Sequence, residues 1–357
     1  MRILLLISGI AAFLPVGSLG QQLTTDPCDC RIELRRITTI GAVGESLYGS
    51  PVSFDRAANG SFILVMPPIE PTPLVANPDG TLRGPLGREG AGPGEYRAPM
   101  HVFVDEADTI WISDPRNARV SVLTPELGFS RSMPIPPTTE ALVRTTSGAI
   151  IIHGRMFTPD GVGFPLHRLD SAGLYSFGRE NPVVAPHLEH LEIRRVARSR
   201  DGSVWSVPFV GHYLLERWRP DGTRLSAMER AVAWFPESRN SWEHLAGRPP
   251  TPRISGIWED ADAKVWVAIL IADENWERGV GETRSAEGRR YYTVADRDDL
   301  FDTVIEVIDP VRSAVISSVR FDRAISLVAP SGLLGDVILA EDDTYRLEVF
   351  QPILSLQ

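Results

Sequence analysis

The sequence predicts an all-β protein built from one repeated unit, and two observations support that prediction. Six short apolar runs, each entered through a turn containing Gly, Asp or Asn, recur at 59–65, 108–114, 148–154, 202–208, 263–269 and 335–341. Runs of this length are typical of strands buried on both faces. Each run also has a partner strand upstream and another downstream, and a fourth strand follows in most units. Six four-stranded antiparallel units predict a six-bladed β-propeller, because a closed ring removes most exposed strand edges.

The two ends of the chain are expected to close this ring together. The last unit has a third strand at 345–352 and lacks a fourth. An unassigned strand, RIELRRIT, lies near the other end at 31–38. We therefore expect the N-terminal strand to be the outer strand of the last blade, with the propeller spanning 31–357.

The first twenty residues have the pattern of a secretory signal peptide. Arg2 precedes an apolar run at 3–14, and Ser18 and Gly20 place small residues at the −3 and −1 positions of a cleavage site before Gln21. Gln21 stands where a lipoprotein would need cysteine, and the apolar run is short for a bilayer span. The pattern predicts a secreted or periplasmic protein with no transmembrane segment after signal removal. An uncleaved anchor is the alternative.

Residues 21–30 form a lead into the propeller and contain both cysteines, Cys28 and Cys30. These thiols could form a local disulfide, pair with another chain or stay reduced, and the local pair is favoured. The formal net charge of the chain is −10. Nucleic-acid binding rests on a basic footprint, so this charge argues against a nucleic-acid partner.

A glycine-rich stretch, GREGAGPGEYRAP at 87–99, raises the question of a phosphate-binding loop. Dinucleotide loops need different glycine spacing and a following helix, and no lysine is present for a P-loop. We interpret Gly90, Gly92 and Gly94 as a sharp turn between blades. Tyr96 is then a packing wedge between neighbouring sheets, and Pro99 leads into the next inner strand.

This stretch, together with 101–128, resembles an NHL repeat. The glycine lead is followed there by a turn with Asp114, Asn117, Arg119 and Val120. The other five units keep only the strand and turn skeleton. The resemblance implies the six-bladed NHL-type propellers of secreted bacterial proteins, many of which have no assigned activity. Two kinds of metal site are known in similar propellers. Amidating lyases built on NHL-type propellers use histidine-bound zinc, and sugar-lactonase propellers hold calcium in the channel.

Five of the seven histidines are expected on one face of the ring. His153, next to Arg155, and His212 fall on connections between second and third strands. His187, His190 and His244 fall on connections between blades. Imidazoles suit zinc, and His187 and His190 are the nearest pair along the chain. The alternative is that polar loops simply collect histidines.

The longest insertion, at 273–302 in the fifth blade, is expected on the same face. It carries Trp276, Tyr291 and Tyr292 among many charged residues. Long loops in compact domains are usually functional or disordered, and aromatic and arginine side chains dominate binding hot spots. The insertion is therefore predicted to recognise a ligand, and a solvated flap is the alternative.

Paired carboxylates on the same loops could hold Ca²⁺, which prefers several oxygen ligands. The candidates are Asp342 and Asp343, together with Asp298, Asp299 and Asp302, all on predicted loops of this face. Paired aspartates in an exposed turn can equally be solvated turn residues. No cofactor is expected beyond zinc or calcium.

The function that these observations favour is a binding module for a protein, peptide or glycan ligand on this loop face. A metal-dependent lyase or lactonase-like hydrolase at the mouth of the channel is the alternative. A structural role in surface assembly is a third possibility. The fold decides none of these, because propellers host many unrelated functions.

Overall fold

The computed structural model describes residues 20–42, 46–158, 161–170, 173–179, 193–237, 247–284, 288, 290–340 and 342–356. Six four-stranded antiparallel sheets dominate these residues, and two of the sheets gain one short additional strand. The innermost strands contact one another in sequence around a ring, and the sixth contacts the first. The predicted all-β fold, a six-bladed β-propeller, is confirmed.

The blades are numbered in chain order, with strands given from innermost to outermost. Blade 1 comprises Ser53–Arg56, Phe62–Met66, Glu70–Ala76 and Leu82–Pro85. Blade 2 comprises His101–Val104, Ile110–Asp114, Arg119–Leu123 and Phe129–Pro134. Blade 3 comprises Thr139–Arg144, Ile150–Gly154, Leu166–Asp170 and Gly173–Phe177.

The remaining blades follow the same order. Blade 4 comprises Arg194–Arg198, Val204–Pro208, Leu214–Trp218 and Arg224–Glu229. Blade 5 comprises Arg253–Glu259, Val265–Ala272, Phe301–Asp309 and Ala314–Phe321. Blade 6 comprises Ile325–Val328, Leu334–Leu339 and Tyr345–Leu356, with Cys30–Ile40 outermost.

Short elements decorate the connections. Two hairpins, Phe157–Thr158 with Gly161–Val162 and Val280–Arg284 with Arg290–Val294, follow the second strands of blades 3 and 5. Arg88–Glu89 pairs in parallel with Glu95–Tyr96. The 3-10 helices of the described residues are Pro115–Asn117 and Trp276–Gly279.

The strand Cys30–Ile40 closes the ring as predicted. It pairs antiparallel with Tyr345–Leu356, in a register that sets Ile32 opposite Leu354 and Thr39 opposite Glu348. Ile32 is buried in an apolar cluster that also contains residues of blade 5. The closure therefore combines backbone pairing with burial of apolar side chains, which is the dominant favourable contribution to folding.

The lead before this strand also pairs with blades 4 and 5, which the sequence does not indicate. Gln21–Gln22 pairs in parallel with the outer strand of blade 4, and Thr24–Thr25 pairs in parallel with the outer strand of blade 5. Leu23, between them, is buried in the apolar cluster shared by those two blades. We call residues 21–40 the N-terminal belt, because they run along the outer edges of blades 4, 5 and 6. Within the belt Cys28 and Cys30 form a local disulfide.

The core lies between adjacent blades. The bulky residue at the centre of each second strand packs there, and in three blades it is Trp111, Trp205 or Trp266. Each of these indole N–H groups donates to a carboxylate, at 3.0 Å to Asp105, 2.6 Å to Glu259 and 2.7 Å to Asp260. A buried polar group without a partner costs free energy, so these acids allow tryptophan to occupy the core.

The glycine-rich stretch forms the joint between blades 1 and 2. Tyr96 is only 1% exposed and packs in the apolar cluster formed by those two blades. Gly87 has φ +85°, and a Cβ built there would lie 2.2 Å from the carbonyl oxygen of Gly94. Only glycine fits this position, for both conformational and steric reasons.

The second-to-third turn of blade 2 holds this joint in place. Asp114 accepts hydrogen bonds from the backbone N–H groups of Arg97 and Ala98, at 2.8 and 3.1 Å. Asn117 Nδ2 donates to the carbonyl oxygen of Gly90 at 2.9 Å. The positions that resemble an NHL repeat therefore act on the backbone of the glycine stretch.

Candidate functional site

We call the face with the blade-to-blade connections and the second-to-third strand connections the upper face. The upper ends of the six innermost strands form the channel mouth. The described residues among the predicted ligand-binding set lie on this face, and they are His153, Arg155, His212, Trp276, Tyr291 and Tyr292. His187, His190 and His244 lie outside the described residues.

His153 serves the core and is not available to a ligand. It ends the second strand of blade 3 and is 1% exposed. Its Nε2 accepts the backbone N–H of Arg194 at 3.0 Å, which places the ring proton on Nδ1, 2.9 Å from the carbonyl oxygen of Pro165. Both ring nitrogens are thus used. The neighbouring Arg155 donates from Nε to Glu140 at 2.7 Å. The sequence suggested a loop histidine, because its burial is not visible from the pattern.

His212 remains accessible, as expected for a loop residue. It lies between the second and third strands of blade 4, with its side chain 41% exposed. Its Nε2 is 3.1 Å from Glu229 Oε1 and 3.9 Å from Glu237 Oε1. These three residues have the geometry of a metal-binding group, and they line a cavity of about 370 Å³ at the rim of blade 4.

The insertion in blade 5 is a hairpin on a short helix. Trp276 is half-buried against Leu270, Leu300 and Phe301, so it anchors the insertion on the blade. Tyr292 is half-buried in the hairpin, and Tyr291 lies next to it in the same strand. The predicted range 273–302 extends too far, because residues 301 and 302 already belong to the third strand.

Asp342 and Asp343 form a tight turn and are not brought together with other acids. The carboxylate of Asp342 accepts from the backbone N–H and the hydroxyl of Thr344, and these hydrogen bonds lower its pKa. Asp343 adopts a left-handed conformation at φ +60°. Both side chains are exposed, and among the described residues neither belongs to a metal-competent group. This geometry matches the alternative interpretation, in which the two aspartates are solvated turn residues.

Three carboxylates converge elsewhere, on the upper edge of blade 5. Asp273 follows the second strand, Asp302 lies at the start of the third, and Asp322 follows the outer strand. Burial raises the pKa of Asp302, and the charges of Asp273 and Asp322 raise it as well, against the effect of Arg320. Only Asp302 of these three was among the predicted candidates.

The channel mouth carries an arginine cluster that the sequence analysis missed. Arg195 and Arg253 lie at the start of the innermost strands of blades 4 and 5, and Arg297 lies on the second-to-third connection of blade 5. The guanidinium of Arg195 stacks on Phe209 at 4.5 Å, and that of Arg253 stacks on Phe301 at 4.4 Å. Arg residues that start different strands are separated in sequence, so no local signal reveals such a cluster.

These arginines are held with few opposite charges. Arg195 Nε donates to the carbonyl oxygen of Ile254 at 3.2 Å, and Arg297 Nη1 donates to Ser326 Oγ at 3.1 Å. In the described part of the chain, none of the three guanidiniums has a carboxylate oxygen within 4.0 Å. By contrast, Arg194, which precedes Arg195 in the innermost strand of blade 4, forms a buried ion pair with Glu216 at 2.7 Å.

The electrostatic consequence appears in the pKa of each arginine. Burial lowers the pKa of Arg195 to about 10, while the negative charge of Glu140 acts in the opposite direction. Burial also lowers the pKa of Arg253 to about 10, with contributions from the positive charges of Arg297 and Arg195. The pKa of Arg297 is lowered by burial, while Asp336 and Asp298 act in the opposite direction. All three stay charged near neutral pH, in an environment that disfavours the charge.

His101 lies at the start of the innermost strand of blade 2 and, unlike the three arginines, is uncharged near neutral pH. Burial lowers its pKa to about 4. Its ring nitrogens lie 3.3 Å from Ser53 Oγ and 3.2 Å from the carbonyl oxygen of Leu142, so His101 ties three blades together. It contributes no positive charge to the channel mouth.

Comparison with known proteins supports the architecture. No protein-family model and no curated protein sequence matches the chain. A member of the DUF4221 family from Bacteroides vulgatus aligns with a TM-score of 0.58 at 11% identity, over 91% of this chain and 99% of that one. A protein described as exported, from Bacteroides fragilis, aligns with a TM-score of 0.53 at 12% identity, over 93% and 98%. At such identities these two similarities show the fold alone.

A weaker similarity is to virginiamycin B lyase from Staphylococcus aureus, with a TM-score of 0.46 at 10% identity over 90% of this chain and 100% of that one. At that TM-score it has no bearing on activity. Within the described residues, no helix is long and apolar enough to cross a membrane.

Proposed function

We propose that this chain is an exported binding module that holds an acidic ligand at the channel mouth. The ligand is a protein, peptide or glycan that presents carboxylate groups. The signal-like N-terminus supports export. We also propose that blade 2 is an NHL-type repeat.

The observation on which the proposal rests is that, among the described residues, no carboxylate oxygen lies within ion-pair distance, 4.0 Å, of the guanidiniums of Arg195 and Arg253, although the charge of Glu140 acts on Arg195 from farther away. A guanidinium removed from water without a counter-charge is destabilising, and an incoming carboxylate relieves that cost. Arginine also binds carboxylates through two parallel hydrogen bonds, which gives orientation as well as affinity. The cluster stands out because the chain as a whole has a formal net charge of −10.

The aromatic rings beneath the guanidiniums support a preformed site. Phe209 and Phe301 fix the planes of Arg195 and Arg253 by stacking. Stacked guanidiniums lose less side-chain freedom when a ligand binds, and the remaining freedom is part of the cost of association. The geometry therefore favours recognition over a purely structural role for these arginines.

The test compares matched acidic and neutral probes at constant ionic strength. Triglutamate and trigalacturonate, against triglutamine and trigalactose, would be measured by isothermal titration calorimetry and thermal melting. We expect binding of an acidic probe only, and a loss of about tenfold or more in affinity in Arg195→Gln and Arg253→Gln, which corresponds to about 1.4 kcal/mol or more each.

The control variant is Arg35→Gln, an exposed arginine on the outer strand of blade 6. It removes the same formal charge away from the channel mouth. Equal binding of acidic and neutral probes, or equal losses in Arg35→Gln and Arg253→Gln, would contradict the proposal.

A metal-dependent lyase or lactonase-like hydrolase remains the second candidate, favoured by the group His212, Glu229 and Glu237 on the same face. One imidazole and two carboxylates form a ligand set that suits zinc. Metal analysis of the purified protein separates the candidates. Stoichiometric zinc that is lost in His212→Ala would favour the enzyme.

A further inference from the structure

The upper edge of blade 5 brings three carboxylates to one point. Asp273, Asp302 and Asp322 come from three adjacent strand ends, and the register sets Asp302 opposite Ile271, which lies two residues before Asp273 in the chain. On the other side of the third strand, Thr303 pairs with Phe321 of the outer strand, and Asp322 follows directly after Phe321. The strand pairing itself therefore holds the three carboxylates together.

The spacing of their oxygens fits a bound cation. One carboxylate oxygen from each of the three residues lies within 4.8 Å of the others. Calcium binds oxygen at about 2.3–2.6 Å, so ligands on opposite sides of the ion are about 4.6–5.2 Å apart. Magnesium binds at about 2.0–2.1 Å in a strict octahedron and needs a tighter set.

Asp302 gives an independent indication of a ligand. Its side chain is 5% exposed, and its Oδ1 is buried with no hydrogen-bond partner among the residues that the structure describes. The other oxygen, Oδ2, pairs with Arg320. Buried polar atoms are almost always satisfied, so an orphaned carboxylate oxygen next to two further carboxylates calls for a positive partner.

The charges around this point remain unbalanced after Arg320 is counted. Arg320 neutralises one of three carboxylates, and its Nη2 also donates to the carbonyl oxygen of Ala272 at 3.4 Å. The surrounding cavity, of about 380 Å³, is lined almost entirely by polar groups, among them Asn275, Arg278 and Asp299. Further oxygen ligands and water can therefore complete a coordination shell of six to eight oxygens.

We propose that Asp273, Asp302 and Asp322 form a calcium-binding site on the upper edge of blade 5. The ligand set consists of oxygen alone, which selects calcium over zinc or copper. The site lies at the strand ends of a single blade and is separate from the arginine cluster.

A bound ion would fix the loop that precedes the third strand of blade 5. Asp298, which lines the same cavity, accepts the backbone N–H of Ala324 at 2.8 Å and so ties this loop to the linker that contains Asp322. Calcium would stiffen both segments, including the neighbouring Arg297.

The test uses the full chain, dialysed against a chelator and then titrated with CaCl₂ or MgCl₂ alone. We expect a saturable rise in melting temperature with CaCl₂, a smaller response to MgCl₂, and a calorimetric binding isotherm near one ion per chain. Asp322→Asn and Asp273→Asn should raise the Kd for calcium about tenfold or more, since affinity follows the number of charged ligands.

The matched control is Asp342→Asn, an exposed aspartate in the turn of blade 6, which should keep the wild-type response. Asp302→Asn is left out because losing the Arg320 pair could itself disturb the blade. No saturable response of the wild type to calcium would overturn the proposal. An unchanged Kd in Asp322→Asn and Asp273→Asn would overturn it as well.

Discussion

Arg119 Nη2 donates a hydrogen bond to the carbonyl oxygen of Gly92 at 2.6 Å, across the joint between blades 1 and 2. The same guanidinium reaches the carbonyl oxygens of Glu95 at 2.6 Å and Ala91 at 2.8 Å. One side chain thus satisfies three carbonyl groups of a stretch that has little regular structure of its own. Charge-assisted hydrogen bonds of this kind are stronger than neutral ones, so the joint is fixed where its composition suggests freedom.

We expect Gly87→Ala to destabilise the protein by about 2–4 kcal/mol, because a left-handed backbone and a backbone clash coincide there. Gly128→Ala is the matched control, since a Cβ there meets only Thr124 Oγ1, at 3.3 Å. Urea unfolding of both variants provides the measurement. Equal losses would show that the joint tolerates a side chain.

Asp336→Asn should stabilise the protein at neutral pH. Asp336 is 1% exposed, and within the described part of the chain neither of its carboxylate oxygens has a hydrogen-bond partner, although Arg323 lies 3.5 Å away. Burial raises its pKa from 3.8 to about 6. A raised carboxyl pKa means that the folded state binds the proton more tightly, so this group contributes most stability below pH 4 and loses it as pH rises through 6.

The expected gain for Asp336→Asn is at most about 3 kcal/mol at pH 7.5, from two pKa units, and loss of the Arg323 contact reduces it. The gain should disappear near pH 4, where Asp336 is protonated. Denaturant unfolding from pH 4 to 8 provides the measurement. A stability difference that does not change with pH would contradict the raised pKa.

Asp55 provides a contrast, because its pKa is also raised to about 6 by burial, yet its carboxylate is well bonded. It accepts from Ser331 Oγ at 2.5 Å, and from the backbone N–H groups of Arg56 and Val104 at 2.9 and 2.8 Å. An amide replaces one acceptor oxygen with a donor that faces these N–H groups. Asp55→Asn should therefore destabilise the protein at pH 7.5, by about 1–3 kcal/mol in the same unfolding experiment.

Leu23→Ala should cost about 2–4 kcal/mol, although Leu23 lies in a segment whose sequence predicts only a lead. Its side chain is 7% exposed and packs with Leu215 and Met228 of blade 4. Removing a buried leucine side chain leaves a cavity as well as losing transfer free energy. Gln22→Ala, at an exposed position of the same belt, should change stability by less than about 0.5 kcal/mol. Thermal and urea unfolding of both variants test whether the belt is part of the cooperative unit.

The hairpin of blade 5 can be removed without touching the strands beneath it. Val280 and Val294 are paired, so an Asn-Gly turn can join them in place of 281–293. Leu300, Phe301 and Trp276 keep their packing in this variant. We expect the melting temperature to change by no more than about 2–4 °C. A change of about 1 kcal/mol in the free energy of unfolding produces a shift of that size in a chain of this length. Binding of triglutamate should weaken if the hairpin contacts the ligand, and unchanged affinity would restrict recognition to the arginine cluster.

Much of the fold could be predicted because burial leaves a local pattern. The predicted strand centres, including Trp111, Trp205 and Trp266, all lie in the second strands of their blades. Short apolar runs are a property of neighbouring residues and survive divergence. The first part of the belt was missed because Gln21–Gln22 and Thr24–Thr25 are polar and pair through their backbones, which no side-chain pattern reports.

The candidate site could be predicted only in part, because its geometry joins residues that are distant in sequence. Strand order is sufficient to assign His212 and the hairpin to one face of the ring. The sequence could not show that His153 is buried with both nitrogens used, or that, among the described residues, no carboxylate oxygen lies within 4.0 Å of the Arg195 and Arg253 guanidiniums. The distance between a guanidinium and the nearest carboxylate is a property of three-dimensional arrangement alone.

The closure of the ring has a consequence for the order of assembly. Cys30–Ile40, which the ribosome makes before the other strands of the six blades, pairs with Tyr345–Leu356, which it makes after them. Until Tyr345–Leu356 is available, the early strand lacks this partner and blade 6 cannot form. Contacts of such long sequence separation form slowly. The ring therefore stays open while the blades are being synthesised, and it can close only after all six have been made.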